Sequence, residues 1–149
     1  MKTILSALKT AIAAGMTEIM DIAVIADPDI LPPAVRFPFV GLKDGSTRRS
    51  EGMNQSVDLT PVVDIYIYVQ LLQDMEASIM GVNNIAPAAD IKGLLELAAD
   101  LVALLDHNLL GDIVQSAFCS DVMASETMIA EGDVFIQRKG CRYVYEIEE

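Results

Sequence analysis

Between Val57 and Gln70 the chain alternates apolar and polar residues with a period of two, and no other feature constrains the fold as much. Val57, Leu59, Pro61, Val63, Ile65, Ile67 and Val69 alternate with Asp58, Thr60, Asp64, Tyr66, Tyr68 and Gln70. Successive side chains of a strand point to opposite faces, so this pattern predicts a strand with one face in a core and the other elsewhere. Such half-buried strands belong to antiparallel sheets, whose second face need not be covered by helices. The second face here carries Tyr66 and Tyr68 beside its acids. Tyrosine combines apolar area with a polar tip and is favoured at protein contacts, so these two residues are candidates for a subunit-interface face. Ordinary cross-strand packing is the competing explanation.

Around this strand the chain predicts a mixture of helices and strands. Ile4, Leu5, Leu8, Ala11 and Ile12 fall at helical spacing over 2–14, with Gly15 as a stop. Residues 16–26 suit a strand or a continuation of that helix. Asp27-Pro28-Asp29 and Pro32-Pro33 then enforce an irregular connection. Residues 34–42 read as a strand with Val35, Phe37 and Phe39 on one face. Pro38, which has no amide donor, places it at an edge or a bulge. From Lys43 to Gln55 the chain is polar, without apolar periodicity, and reads as a long flexible loop. Residues 74–81 suit a helical turn, and Asn83, Asn84 and Pro87 a loop. Asp90 is placed to cap a second helix, in which Ile91, Leu94, Leu95, Ala98, Leu101, Val102 and Leu105 form the apolar face. Lys92, Glu96 and Asp100 form its wet face, Lys92 and Glu96 one turn apart, and Asn108 and Gly111 end it. Strands are expected over 113–120 and 133–147, with 122–130 of mixed character. Lys139-Gly140 is either a hairpin turn or part of one long strand with a glycine bulge, in which Phe135, Cys141, Tyr143, Tyr145 and Ile147 share a face. The elements fit a single domain over 1–149 of the α+β class: a twisted, mainly antiparallel sheet with two main helices packed on one face.

Composition narrows the function classes. Hydrophobic residues make up 52% of the 149 positions, yet no window approaches the apolar run that a spanning helix needs, so no membrane association is expected. No signal peptide is expected either, because no small-residue cleavage site follows the first apolar stretch. The excess apolar content suits a core plus subunit interfaces. The formal charge of −12, from 22 acids and 10 bases, argues against binding nucleic acid through phosphates. Cys119 and Cys141 form no metal-spacing motif and are expected as free thiols in apolar segments. His107, the one histidine, sits where the second helix ends, a place for a surface cation more than for a catalytic base. Asp27 with Asp29 lacks the acidic spacing of a recognised calcium loop. The sequence has no phosphate-binding glycine loop or HExxH motif. No catalytic residue, metal or cofactor is therefore expected. Lys43, Arg48 and Arg49, inside the polar segment of an acidic chain, are candidates for contact with an acidic neighbour, including another copy of the chain.

One family joins these features. A helix is followed by Phe-Pro-Phe-Val-Gly-Leu-Lys-Asp-Gly at 37–45, the polar segment, and a strand ending Ile-Tyr-Ile-Tyr-Val. Then come Glu76-Ala-Ser-Ile-Met-Gly81, a helix ending Leu-Leu-Asp-His-Asn-Leu-Leu-Gly, and a strand with Gln137-Arg-Lys139. In this order and phrasing the chain resembles the tail terminator (tail completion, minor tail) proteins of long-tailed bacteriophages. The resemblance implies a non-enzymatic virion protein with a fold related to tail tube and neck proteins. It implies a hexameric ring, made in the host cytoplasm, that caps the head-proximal end of the tail tube and ends its growth. The ring's partners would be the tail tube protein and the head connector or neck protein, with DNA passing through an acidic lumen. The 43–55 loop would order on assembly. A neck or head-closure ring protein and a small acidic inhibitor acting as a DNA mimic are the alternatives. An enzyme built on His107 is third, and no substrate can be named for it.

Overall fold

The computed structural model describes residues 1–72, 75–81, 92–130 and 132–148. Among the described residues six strands form one sheet: β1 (Asp21–Val24), β2 (Phe39–Glu51), β3 (Val57–Gln70), β4 (Ser116–Val122), β5 (Glu126–Ala130) and β6 (Val134–Glu148). Their order is β1-β2-β3-β6-β4, with β5 also paired to β6. Only β1 with β2 is parallel; the remaining pairs are antiparallel. β4 and β5 share one edge of β6 in series, β5 against its first residues and β4 against its later ones. The helices are α1 (Lys2–Gly15), α2 (Met75–Met80) and α3 (Leu94–Leu105). This is the α+β arrangement that the hydropathy pattern predicts.

The main core lies between one sheet face and α1 with α3. Ile4, Leu8 and Ile12 of α1 and Leu94, Leu97 and Leu101 of α3 are shielded from solvent. They belong to the same cluster as Val63, Ile65 and Ile67 of β3 and Cys141, Tyr143 and Tyr145 of β6. The odd-numbered face of β3 is thus the core face that its alternation marks out. Burying a large aliphatic side chain stabilises the fold by about 1.5–3 kcal/mol. Gly15 does more than end α1: a Cβ there would lie 2.5 Å from Leu104 Cδ1, so its lack of a side chain lets the two helices approach.

Several elements differ from expectation, each for a local reason. Residues 43–51 are not loop. They continue β2 in register with β3, from Lys43 opposite Asp64 to Glu51 opposite Val57, with one irregularity between Asp44 and Thr47. The chain turns only at 52–56, around a 3-10 turn at Met53–Gln55. Residues 34–38 are irregular, and β2 starts at Phe39 after a cis Phe37–Pro38 peptide. The Pro38 carbonyl accepts from the Met20 amide at 2.8 Å. The 16–26 segment supplies β1 and does not extend α1. Residues 134–147 lie in one strand, whose register against β3 runs unbroken through Gly140, so there is neither a hairpin nor a bulge against β3, and Asp133 belongs to the turn before it. α3 begins at Leu94 with Gly93 at its N-cap position. Lys92 precedes it and bridges Glu18 at 2.9 Å and Asp100 at 2.6 Å, in place of the expected Glu96. The expected Asp90 cap, the start of the apolar face at Ile91 and the loop at 83–87 lie outside the described residues.

Candidate interaction surface

The sheet face away from the helices is built in rows that cross three strands. Register places Lys43, Asp64 and Arg142 in one row, Gly41, Tyr66 and Gly140 in the next, and Phe39, Tyr68 and Arg138 in the third. In the first row Asp64 is 6% exposed and takes a two-pronged contact from Arg142, Nε to Oδ1 at 2.8 Å and Nη2 to Oδ2 at 3.2 Å. Two parallel N–H···O bonds to an ionised carboxylate are strong and fix orientation. They hold the Arg142 guanidinium in its charged form even more firmly than usual. In the second row the Tyr66 ring lies over Gly140, where a Cβ would come within 2.8 Å of Tyr66 Cε1.

The third row carries a second, smaller core. Phe39, Tyr68, Ile25 and Ile136 are buried there, with Leu31, Val35, Phe37 and Met128 packed against them. The 27–37 segment thus covers this part of the outer face, and β5, alongside β6, adds Met128 to it. Tyr68 is 0% exposed, its ring centroid lies 5.5 Å from that of Phe39, and its hydroxyl donates to the Pro28 carbonyl at 2.7 Å. Burial pushes its phenol well above the usual range. This corrects the expectation that Tyr68 faces a partner: it anchors the chain's own 27–37 segment. Tyr66 is half-buried and packs beside Tyr68, with the Arg138 guanidinium 5.8 Å from its ring centroid.

Arg138 organises this region, and sequence reasoning passed over it. Its guanidinium pairs with Asp29 at 2.5 Å and with Glu126 at 2.7 Å, while its side chain is only 12% exposed. The two carboxylates hold it charged against the desolvation that opposes it. Asp29 is therefore a partner of Arg138. Asp27 accepts from the Asp29 amide at 2.8 Å, which makes the acidic pair a local turn. Beside this cluster opens an apolar groove of about 580 Å³, lined among others by Ile30, Leu31, Val35, Phe37, Met128 and Ile129. Ile30 is 67% and Ile129 63% exposed. The signal in the sequence was the apolar Ile30-Leu31 pair directly before two prolines, where a solvated loop would carry polar residues.

The three candidate bases separate. Lys43 is half-buried in the row with Asp64. Arg48 and Arg49 stand farther out on the β2–β3 arm, where every residue from Ser46 to Glu51 is exposed. Neither arginine makes an ion pair with any described residue. Met53 at the tip of the arm is 85% exposed. β1 pairs only with residues 39–42, so from Lys43 onward the outer edge of β2 has no strand beside it among the described residues. Charged residues and the irregularity near Gly45 guard that edge, as exposed edges commonly are guarded.

The remaining candidates for chemistry are dispersed. His107 is exposed on the turn after α3, its amide donating to the Ala117 carbonyl at 2.9 Å. Cys119 and Cys141 approach each other across β4 and β6. The Cys119 thiol donates to the Asp121 carbonyl, and burial raises its pKa. Burial, with the neighbouring Cys119, pushes the Cys141 thiol up to about 12. Among the described residues no three His, Cys, Asp or Glu side chains are grouped to hold a metal ion. No described helix is long and apolar enough to cross a membrane. The sequence matches no protein-family model and no curated protein.

Proposed function

We propose that this chain is a structural subunit without catalytic activity, one that assembles as a ring on the head-proximal end of a phage tail tube. There it stops tube growth and presents a docking face to the head connector. One observation carries the assembly part of this reading. An arm whose β2 strand is exposed from Ser46 to Glu51, with two arginines that make no ion pair among the described residues and an exposed Met53 at its tip, projects from a chain of net charge −12. Arginine is enriched in interfaces, and burying the exposed Met53 against a partner surface would be favourable. Ring closure is a head-to-tail contact between two different patches of each subunit, and the arm is a candidate for one of them. The step from assembly to the tail end rests on the resemblance in element order and on the acidic balance, which suits a lumen that DNA traverses without adhering.

Quantitative peptide mass spectrometry on purified particles of the encoding phage, with tails and heads also analysed apart, tests the assignment. A ring predicts a few copies per particle, retained with tails. Enrichment with heads would move the protein to the neck. Absence from particles would sink the structural reading and favour an acidic inhibitor, for which the net charge is the supporting feature.

A further inference from the structure

The arm tip and the apolar groove lie at opposite ends of the same sheet. The groove sits where β2 begins and β6 begins, beside Phe39 and Val134, whereas the tip lies beyond Glu51. Twelve strand steps of about 3.3 Å separate these ends, roughly 40 Å. The arm cannot fold back onto its own groove without breaking its register with β3. We propose that the β2–β3 arm of one copy docks in the groove between the 29–37 segment and β5 of a second copy. The inference rests on the ring reading and deepens it by naming the subunit contact.

Complementarity selects this occupant. The arm offers Met53 at its tip and, five and four residues before it, Arg48 and Arg49, cations without an ion-pair partner among the described residues, with the acids Glu51 and Asp58 nearer the turn. The groove offers an apolar floor with Ile30 and Ile129 exposed. Of the acids near it, Asp29 lines the groove and pairs with Arg138, and Glu126 on β5 pairs with Arg138 as well. Asp27 and Asp133, close in the chain to the lining residues Asp29 and Val134, make no ion pair among the described residues. A flexible, apolar methionine fills irregular apolar space well, and rim charges of opposite sign steer and orient the approach. Because tip and groove are different patches at opposite ends, occupying one leaves the other free. Contacts of this kind propagate head to tail and give a closed ring, or a filament if the rotation does not close.

The test is mixed cross-linking in a Cys119→Ser background, where the remaining Cys141 is fully buried. A Met53→Cys subunit labelled with heavy nitrogen is mixed with an unlabelled Ile129→Cys subunit and treated with a short bismaleimide. The expected product is a mixed dimer, about tenfold above the dimers that either variant gives alone, since a ~1.4 kcal/mol preference suffices for that ratio. A second variant, Arg48→Glu with Arg49→Glu, is expected to weaken self-association roughly 100-fold by turning attraction at the rim into repulsion. Its urea midpoint should not move, because both side chains are exposed. Light scattering separates the failures. An assembled oligomer with no excess of mixed product, or with Met53→Cys subunits joined to each other, overturns the arm-in-groove contact and leaves the ring standing. A wild-type chain that stays monomeric at high concentration overturns both.

Discussion

Three tyrosines buried in this fold should respond in opposite senses to loss of the same atom. Tyr68 donates to the Pro28 carbonyl at 2.7 Å, Tyr143 reaches the Val102 carbonyl at a long 3.4 Å, and the buried Tyr145 hydroxyl has no hydrogen-bond partner among the described residues. Replacing each with phenylalanine keeps the ring and its packing, so the difference isolates the hydroxyl. Tyr68→Phe removes a good bond and strands a carbonyl, which costs about 1 kcal/mol. Part of that cost is regained because Pro28 is only half-buried and its carbonyl can recover some hydration. Tyr145→Phe removes a polar group that has been desolvated without compensation, so it should be neutral or stabilise by up to ~1 kcal/mol. Tyr143→Phe should fall between them. Urea unfolding resolves the series. With a slope of ~2 kcal/mol/M, each kcal/mol moves the midpoint by ~0.5 M at unchanged slope. A loss for Tyr145→Phe equal to that for Tyr68→Phe would refute the assignment of an orphan hydroxyl.

Gly140→Ala should destabilise by about 1–3 kcal/mol in the same assay, because the new methyl would meet Tyr66 Cε1 at 2.8 Å and Met123 Sδ at 2.9 Å. Stability should fall on acidification below pH ~4, the ordinary carboxylate range. Arg36 holds Asp21 ionised and Lys92 holds Glu18 ionised, so both pKa values are lowered in the fold. Their contribution is complete above the unfolded carboxylate values and disappears as pH falls through the lowered ones. Arg36→Gln and Lys92→Gln should each flatten that limb in thermal melts taken across pH. Thiol titration with a disulfide reagent should be biphasic. The partly exposed Cys119 reacts first, while Cys141, at 0% exposure and with its pKa raised to about 12, reacts only as denaturant opens the sheet. Equal rates in native buffer would contradict the burial of Cys141.

The sequence announced those parts of the fold whose burial is one-sided. α1, α3 from Leu94 onward and the first half of β3 each bury one face. The odd-numbered face of β3 carries the continuous apolar run that period two marks, although Asp64 and Tyr68 on its other face are buried as well. The 43–51 segment escaped notice because it is strand by backbone pairing alone. Both its faces beyond Gly45 meet solvent, so hydropathy leaves no period to find. Tyr68 lies on the strand face that the alternation gives it, and of its two readings, interface and packing within the chain, its burial selects packing. What covers Tyr68 is the 27–37 segment, brought over from a distant part of the chain, and no local pattern predicts that. The same holds for Arg138 with Asp29, 109 residues apart, and for the approach of Cys119 to Cys141. Arg48 and Arg49 could be picked out from charge alone, because an exposed cation on an acidic chain needs no tertiary partner to be conspicuous.

β6 pairs with β3, β4 and β5, so three strands depend on one that is translated after all of them. At 5–20 residues per second, the interval between completing β3 at Gln70 and starting β6 at Val134 lasts roughly 3–13 s. Through that interval the inner edge of β3, which carries Val63, Ile65 and Ile67 of the main core, has no permanent neighbour on the nascent chain. Unpaired apolar edges are where growing chains adhere to one another. Ribosomes making this protein close together on one message thus expose the same unfinished edge side by side, and slowing synthesis between Leu71 and Val134 should lower the soluble yield.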